Sequence, residues 1–218
     1  AAEMAGKRLL AAGADRAALA GYIGEGELLQ GDLRDAREWL GAGEFTPETA
    51  QRGFHALGRL EMAGGYFTAA AAAFDQARAI GLPWRMLWYQ IGPYPAYYHT
   101  GRYQDVINLA DTTFQWIGQP VLVRYAPADL ADPWVAALAG YHSGRLGFES
   151  LLSAARADRA SGDGRRVGEA WLHHGIRLAA HGKAAEAREA LARAKATDAP
   201  RHAWKLLAER ELARFSAR

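Results

Sequence analysis

The chain has no cysteine, which removes disulfides, thiolate nucleophiles and cysteine-ligated zinc together. It has little lysine, with only Lys7, Lys183, Lys195 and Lys205, so arginine carries most of the basic charge. Together with the abundant alanine, that bias points to GC-rich coding before it points to phosphate binding. Long apolar runs are missing: no stretch reaches the roughly 18 residues of a membrane span. The opening AAEMAGKRLL lacks the long apolar core of a secretion signal. An excess of one charge is missing as well. The 26 basic and 24 acidic residues leave a net charge of +2 over 218 residues, with no continuous basic track. Neither nucleic acid nor a membrane is expected as a partner. A soluble chain is expected, its compartment undetermined with the cytoplasm favoured. Because the sequence begins with Ala1, a mature product or an excised piece of a longer protein is a further expectation.

Signature motifs of catalysis are also missing. Nothing matches G-x-x-x-x-G-K-[ST], and Gly24-Glu25-Gly26 is followed by Leu29 where a dinucleotide loop needs a third glycine. No G-x-S-x-G elbow and no H-E-x-x-H zinc motif occurs. The reading is therefore of a non-enzyme with no catalytic residue, metal site or cofactor.

What is present is best read from Gln51 to Pro83, QRGFHALGRLEMAGGYFTAAAAAFDQARAIGLP. It reads as two helices folded back on each other, broken at Gly64-Gly65, with Ala70, Phe74 and Ala77 on one face of the second. Gly58 and Ala70 fall where the helices cross, since larger side chains would hold the backbones apart, and Phe74 fills the gap beside them. The same marks occur upstream: the step from Gly24 to Gly58 equals the step from Gly31 to Gly65, and Ala36 and Leu40 match Ala70 and Phe74.

The spacing Leu57, Gly58, Gly65, Ala70, Phe74, Ala77 and Pro83 resembles the tetratricopeptide repeat (TPR), a helix-turn-helix unit of about 34 residues. The resemblance implies an all-α, right-handed superhelical solenoid of about five helix pairs plus a terminal cap helix. An N-terminal helix at 3–13 precedes repeats at 15–46 and 47–82, the first opened by Asp15 as a helix cap. A third repeat at 83–118 has Pro93 and Pro95 inside its first helix, where a kink or interruption is expected. An irregular connector at 119–132 leads to a fourth repeat at 133–160, with Glu149 where a small alanine is expected and irregular packing to match. A fifth repeat at 164–199 returns to pattern with Gly175, Gly182, Ala187 and Leu191. The capping helix at 200–218 would cover the array with Trp204, Leu207, Ala208 and Leu212. The later turn glycines, Gly65, Gly101, Gly144 and Gly182, are unevenly spaced, with the longest step from Gly101 to Gly144 across the connector. In PWRMLWYQ and GPYPAYY, the middle segment is similar to the TPR region attached to some bacterial peptidase-like proteins of the C39 type, though no cysteine nucleophile is present.

In such arrays the first helices line a concave groove. Carried over by position, the resemblance places Arg52, His55, Arg59 and Met62 there from the second repeat. The third repeat gives Trp88, Ile91, Tyr98 and His99, and the fourth Trp134, Leu138, Tyr141 and His142. That surface, aromatic in its middle and basic toward the N-terminal side, suits a protein or peptide partner with an apolar anchor and an acidic neighbour. The same aromatics read equally well as packing between helices. The carboxylate clamp for chaperone tails uses groove asparagines, and Asn108, the only asparagine, lies on a second helix. His99 and His142 hold equivalent places before Gly101 and Gly144. They read as helix-end histidines rather than as a shared metal site.

The leading expectation is thus a protein-interaction scaffold. The alternatives are an accessory domain of a larger peptidase-like enzyme, a designed or recombined helical array, and small-molecule or glycan binding by Trp84, Trp88, Tyr94, Tyr97 and Tyr98. A homo-oligomer through the first helix, near Leu9 and Leu10, is a further expectation.

Overall fold

The computed structural model describes residues 2–80, 92–117, 133–157, 164–197 and 203–216, and every regular element among them is helical. Twelve helices are described: α1 Ala2–Ala11, α2 Arg16–Gln30, α3 Leu33–Leu40, α4 Ala50–Gly64, α5 Phe67–Ala79, α6 Tyr94–His99, α7 Tyr103–Ile117, α8 Pro133–His142, α9 Phe148–Ala157, α10 Arg165–Ala180, α11 Ala184–Ala196 and α12 Ala203–Ser216. They pack in consecutive pairs, α2 with α3, α4 with α5, α6 with α7, α8 with α9 and α10 with α11. The chain divides into two compact units, Ala1–Leu82 with Arg201–Leu207 and Pro83–Pro200 with Ala208–Arg218.

One local device makes most of the pairs. After α2, Gly31 adopts φ 81°, and its N–H reaches the Leu28 carbonyl while the Asp32 N–H reaches that of Glu27. This is a Schellman closure, which satisfies two terminal carbonyls and needs a left-handed residue that glycine supplies without a Cβ clash. Asp32 then caps α3 by accepting the Asp35 N–H at 3.1 Å. The same pair of bonds recurs at Gly65 and Tyr66, at Gly101 and Arg102, and at Gly182 and Lys183. Asp15 caps α2 as expected, accepting the Ala17 N–H at 3.0 Å.

The turn fixes which residues meet. A methyl placed on Gly58 would lie 2.7 Å from the Phe74 ring, and one on Gly175 would lie 2.7 Å from Leu191 Cγ; Gly24 stands in the same relation to Leu40. The interval from glycine to partner is identical in all three pairs. Ala36, Ala70 and Ala187, which follow the turn glycines at one shared spacing, are fully buried. In the first unit this closure joins Leu28, Leu40, Ala56 and Leu60 into one core, with Leu33, Phe45 and Leu57 at its edge.

The second unit departs from the device where the sequence does. Pro93 caps α6 and Pro95 lies in its first turn, so each proline sits where a helix has no use for its missing N–H. The expected interruption is therefore a helix start; residues 81–91, with Trp84, Trp88 and Ile91, lie outside the described residues, as does the connector at 118–132. Between α8 and α9 the turn runs further past its glycine than the others do, with the Leu146 N–H bonded to the Gly140 carbonyl at 2.9 Å. Glu149 is consequently exposed, and Leu151, fully buried, occupies the place that alanine holds in the regular pairs. On α12, Trp204, Leu207, Ala208 and Glu211 are buried and Leu212 is half buried; Trp204 and Leu207 belong to the first compact unit and Ala208, Glu211 and Leu212 to the second.

Candidate functional site

In the first unit, Arg52 and Arg59 project from α4 toward Glu25 on α2, at 3.5 and 3.7 Å from its two carboxylate oxygens. Arg52 also lies over the Tyr22 ring, 4.4 Å from its centroid, and Tyr22 is half exposed. Two partly buried guanidiniums sharing one carboxylate carry a local positive excess beside the exposed Tyr22 ring. His55, between them in sequence, points inward: it is buried with its ring 5.2 Å from that of Phe74. Burial, and then the Arg59 charge, hold its pKa well below the usual histidine range, so it is neutral.

In the second unit, Tyr98, Trp134 and Tyr141 are all buried. They belong to packing between helices rather than to an exposed groove surface, with Tyr141 also bordering a cleft. Tyr98 of α6 and His142 of α8 are brought together through a 3.1 Å contact between the phenol oxygen and Nδ1, and His142 Nε2 continues to His173 Nδ1 on α10 at 3.0 Å. Burial lifts the Tyr98 phenol to about 12 and lowers His173 to about 4. His142 is pushed well below its ordinary value by burial, then by His173 and Arg177. All three groups are neutral at pH 7, linked as one hydrogen-bonded chain between three helices.

A parallel link runs beside it. The Tyr141 phenol lies 2.7 Å from His174 Nδ1, and the His174 ring stacks on Phe148 at 3.8 Å and 9°. The Arg177 guanidinium lies 4.6 Å from the Tyr141 ring centroid and donates from Nη1 to the Tyr141 carbonyl at the end of α8. Burial and the Arg177 charge lower His174 to about 4, with Glu186 opposing. These groups border a cleft of about 390 Å³ opened by the long α8–α9 turn.

The remaining groove positions are used structurally. His99 presents Nε2 to the buried Glu211 at 3.2 Å and accepts from Arg214 at Nδ1 at 2.9 Å. The Trp134 indole donates to Glu169 at 3.1 Å, where Arg166 also donates at 3.3 Å. Met62 is half buried, and Leu138, Tyr94 and Tyr97 are buried, while Trp88 lies outside the described residues. His99 and His142 therefore have different partners, and among the described residues no group of three or more histidine, aspartate or glutamate side chains is placed to hold a metal.

Sequence reasoning missed His173, His174, Arg177 and Glu211 as site-forming residues. The one available signal was His173-His174 one helical turn before Arg177, which puts aromatic and cationic groups on one helical face. Compared with known protein families and with curated proteins, the chain matches none.

Proposed function

We propose that the chain is a helical-repeat interaction module of the tetratricopeptide type, a right-handed array that holds a protein or peptide partner without catalysis of its own. The observation that carries this reading is the recurrence of one closure, glycine against a large side chain at one fixed interval, in the α2–α3, α4–α5 and α10–α11 pairs. A chain built by repeating a unit extends a surface rather than enclosing a pocket, and extended surfaces recognise extended partners.

The partner face is on the first unit, formed by Tyr22, Glu25, Arg52 and Arg59. Tyr22 supplies a rigid amphipathic contact, and the excess guanidinium charge favours an acidic residue beside the partner's anchor. The buried aromatics of the second unit hold helices together.

Selection of random displayed peptides against the folded chain tests the reading. Recovered peptides should converge on an acidic residue near an apolar one and should lose binding to the Tyr22→Ala and Arg59→Glu variants. A folded chain that enriches no peptide, or peptides indifferent to both variants, contradicts it.

A further inference from the structure

We propose that the cleft between α9 and α10 is an oxyanion-binding site, in which Arg177 takes the paired oxygens of a carboxylate or phosphate group. The site shares no residue with the partner face of the first unit and does not depend on it.

The lining residues include Tyr141, Phe148, His174, Arg177, His181 and Lys183, and among the described residues no carboxylate borders the cleft. Arg177 is half buried and, among the described residues, has no acidic partner. Other partly buried arginines differ: Arg52 and Arg59 share Glu25, Arg102 has Asp105, and Arg166 has Glu169. One Arg177 N–H caps the Tyr141 carbonyl, and the ring of Tyr141 touches the cation without neutralising it. That use ties α10 to the end of α8, and the guanidinium also hydrogen-bonds the Tyr141 phenol, so part of its set of five donors is committed to Tyr141. Arg177 lines the open cleft, and its remaining donors have the planar geometry that fits a carboxylate or phosphate edge. A half-buried cation without an acidic partner is favourably placed to meet an entering anion.

The neighbouring groups agree with this assignment and set its limits. Lys183 adds positive charge at the rim but is partly spent on Glu186, 3.5 Å away. His181 commits Nδ1 to the Arg177 carbonyl at 2.7 Å, as donor, leaving Nε2 for the solvent side. His174, held near 4 chiefly by burial and by Arg177, is neutral at pH 7, so the attraction comes from Arg177 first. An anion beside Arg177 must stabilise protonated His174, and reciprocally protonation must tighten the anion.

The test is a titration of the full chain with sodium phosphate and sodium acetate at pH 7 and constant ionic strength, with chloride as reference. It is followed by the Arg177 Nε–Hε and His174 ring resonances. Saturable shifts in both are expected with one of the anions, and the anion acting at lower concentration identifies the phosphate or the carboxylate source. Arg177→Gln should weaken binding about tenfold or more, and Arg177→Lys, which keeps the charge without the fork, should weaken it less. Glu186→Gln, which frees Lys183, should tighten it. Repeating the His174 pH titration in sulfate should raise its midpoint, an effect that a purely structural Arg177 would not produce. If both anions behave as chloride, or if a folded Arg177→Gln chain binds as the native one does, the proposal is overturned. Should Arg177→Gln fail to fold, equal affinity of the Arg177→Lys and native chains overturns it instead.

Discussion

Gly58 and Phe74 close the α4–α5 pair so tightly that a methyl on Gly58 would stand 2.7, 2.8 and 2.9 Å from three atoms of the Phe74 ring. Gly58→Ala gains about 1 kcal/mol of helix propensity and loses more to the clash, leaving a net destabilisation of about 1–2 kcal/mol. Thermal melting checks this, with Gly147→Ala as a control because nothing lies within 4 Å of a methyl there. Phe74→Leu in the Gly58→Ala background should recover part of the loss, since the two positions share one contact.

At Gly182 the constraint is conformational rather than steric. An added methyl there meets nothing within 4 Å, yet φ is 77°. Gly182→Ala should cost about 1–2 kcal/mol from backbone conformation alone, and Gly182→Asn less, because asparagine tolerates the left-handed region. Equal stability of the alanine variant and the native chain would contradict the shared turn geometry.

These two devices were legible in the sequence for the same reason. Each is imposed by a short stretch, a left-handed turn or a helix crossing, whose residues stand at fixed spacing whatever the rest of the chain does. The equal steps from Gly24 to Gly58 and from Gly31 to Gly65 therefore read directly as structure. The second unit is less legible: Glu149 marks a departure from the pattern, but nothing local shows that the longer turn moves the buried place to Leu151. The groove assignment of Tyr98 and Tyr141 depended on repeat register alone. Their partners, His142 and His174, lie in other helix pairs, at separations that the irregular spacing had obscured.

Tyr98→Phe removes one end of the Tyr98–His142–His173 chain and leaves His142 Nδ1 buried without that partner. A destabilisation of about 1–3 kcal/mol is expected, read as a shift in the denaturant midpoint at unchanged slope. No loss would show that the histidines find other partners.

The histidines also give the fold an acid sensitivity whose sign follows from their pKa directions. His55, His142 and His173 are held neutral below the ordinary value, so the unfolded chain takes up their protons first. Stability is then lost as pH falls below about 6.5, the His173 share down to about 4, with at most about 1.4 kcal/mol per pH unit from each histidine. Urea denaturation across that window checks it, and His173→Gln should flatten the slope. A folded chain whose stability rises as pH falls from 6.5 contradicts the buried, neutral assignment.

The proposed partner face rests on Glu25 holding Arg52 and Arg59 at 3.5 and 3.7 Å beside the half-exposed Tyr22. Amide chemical-shift mapping with a display-selected peptide tests it most directly. The largest perturbations are expected around residues 22, 25, 52 and 59, absent in the Arg59→Glu chain. Perturbations confined to residues outside α2 and α4 would contradict it.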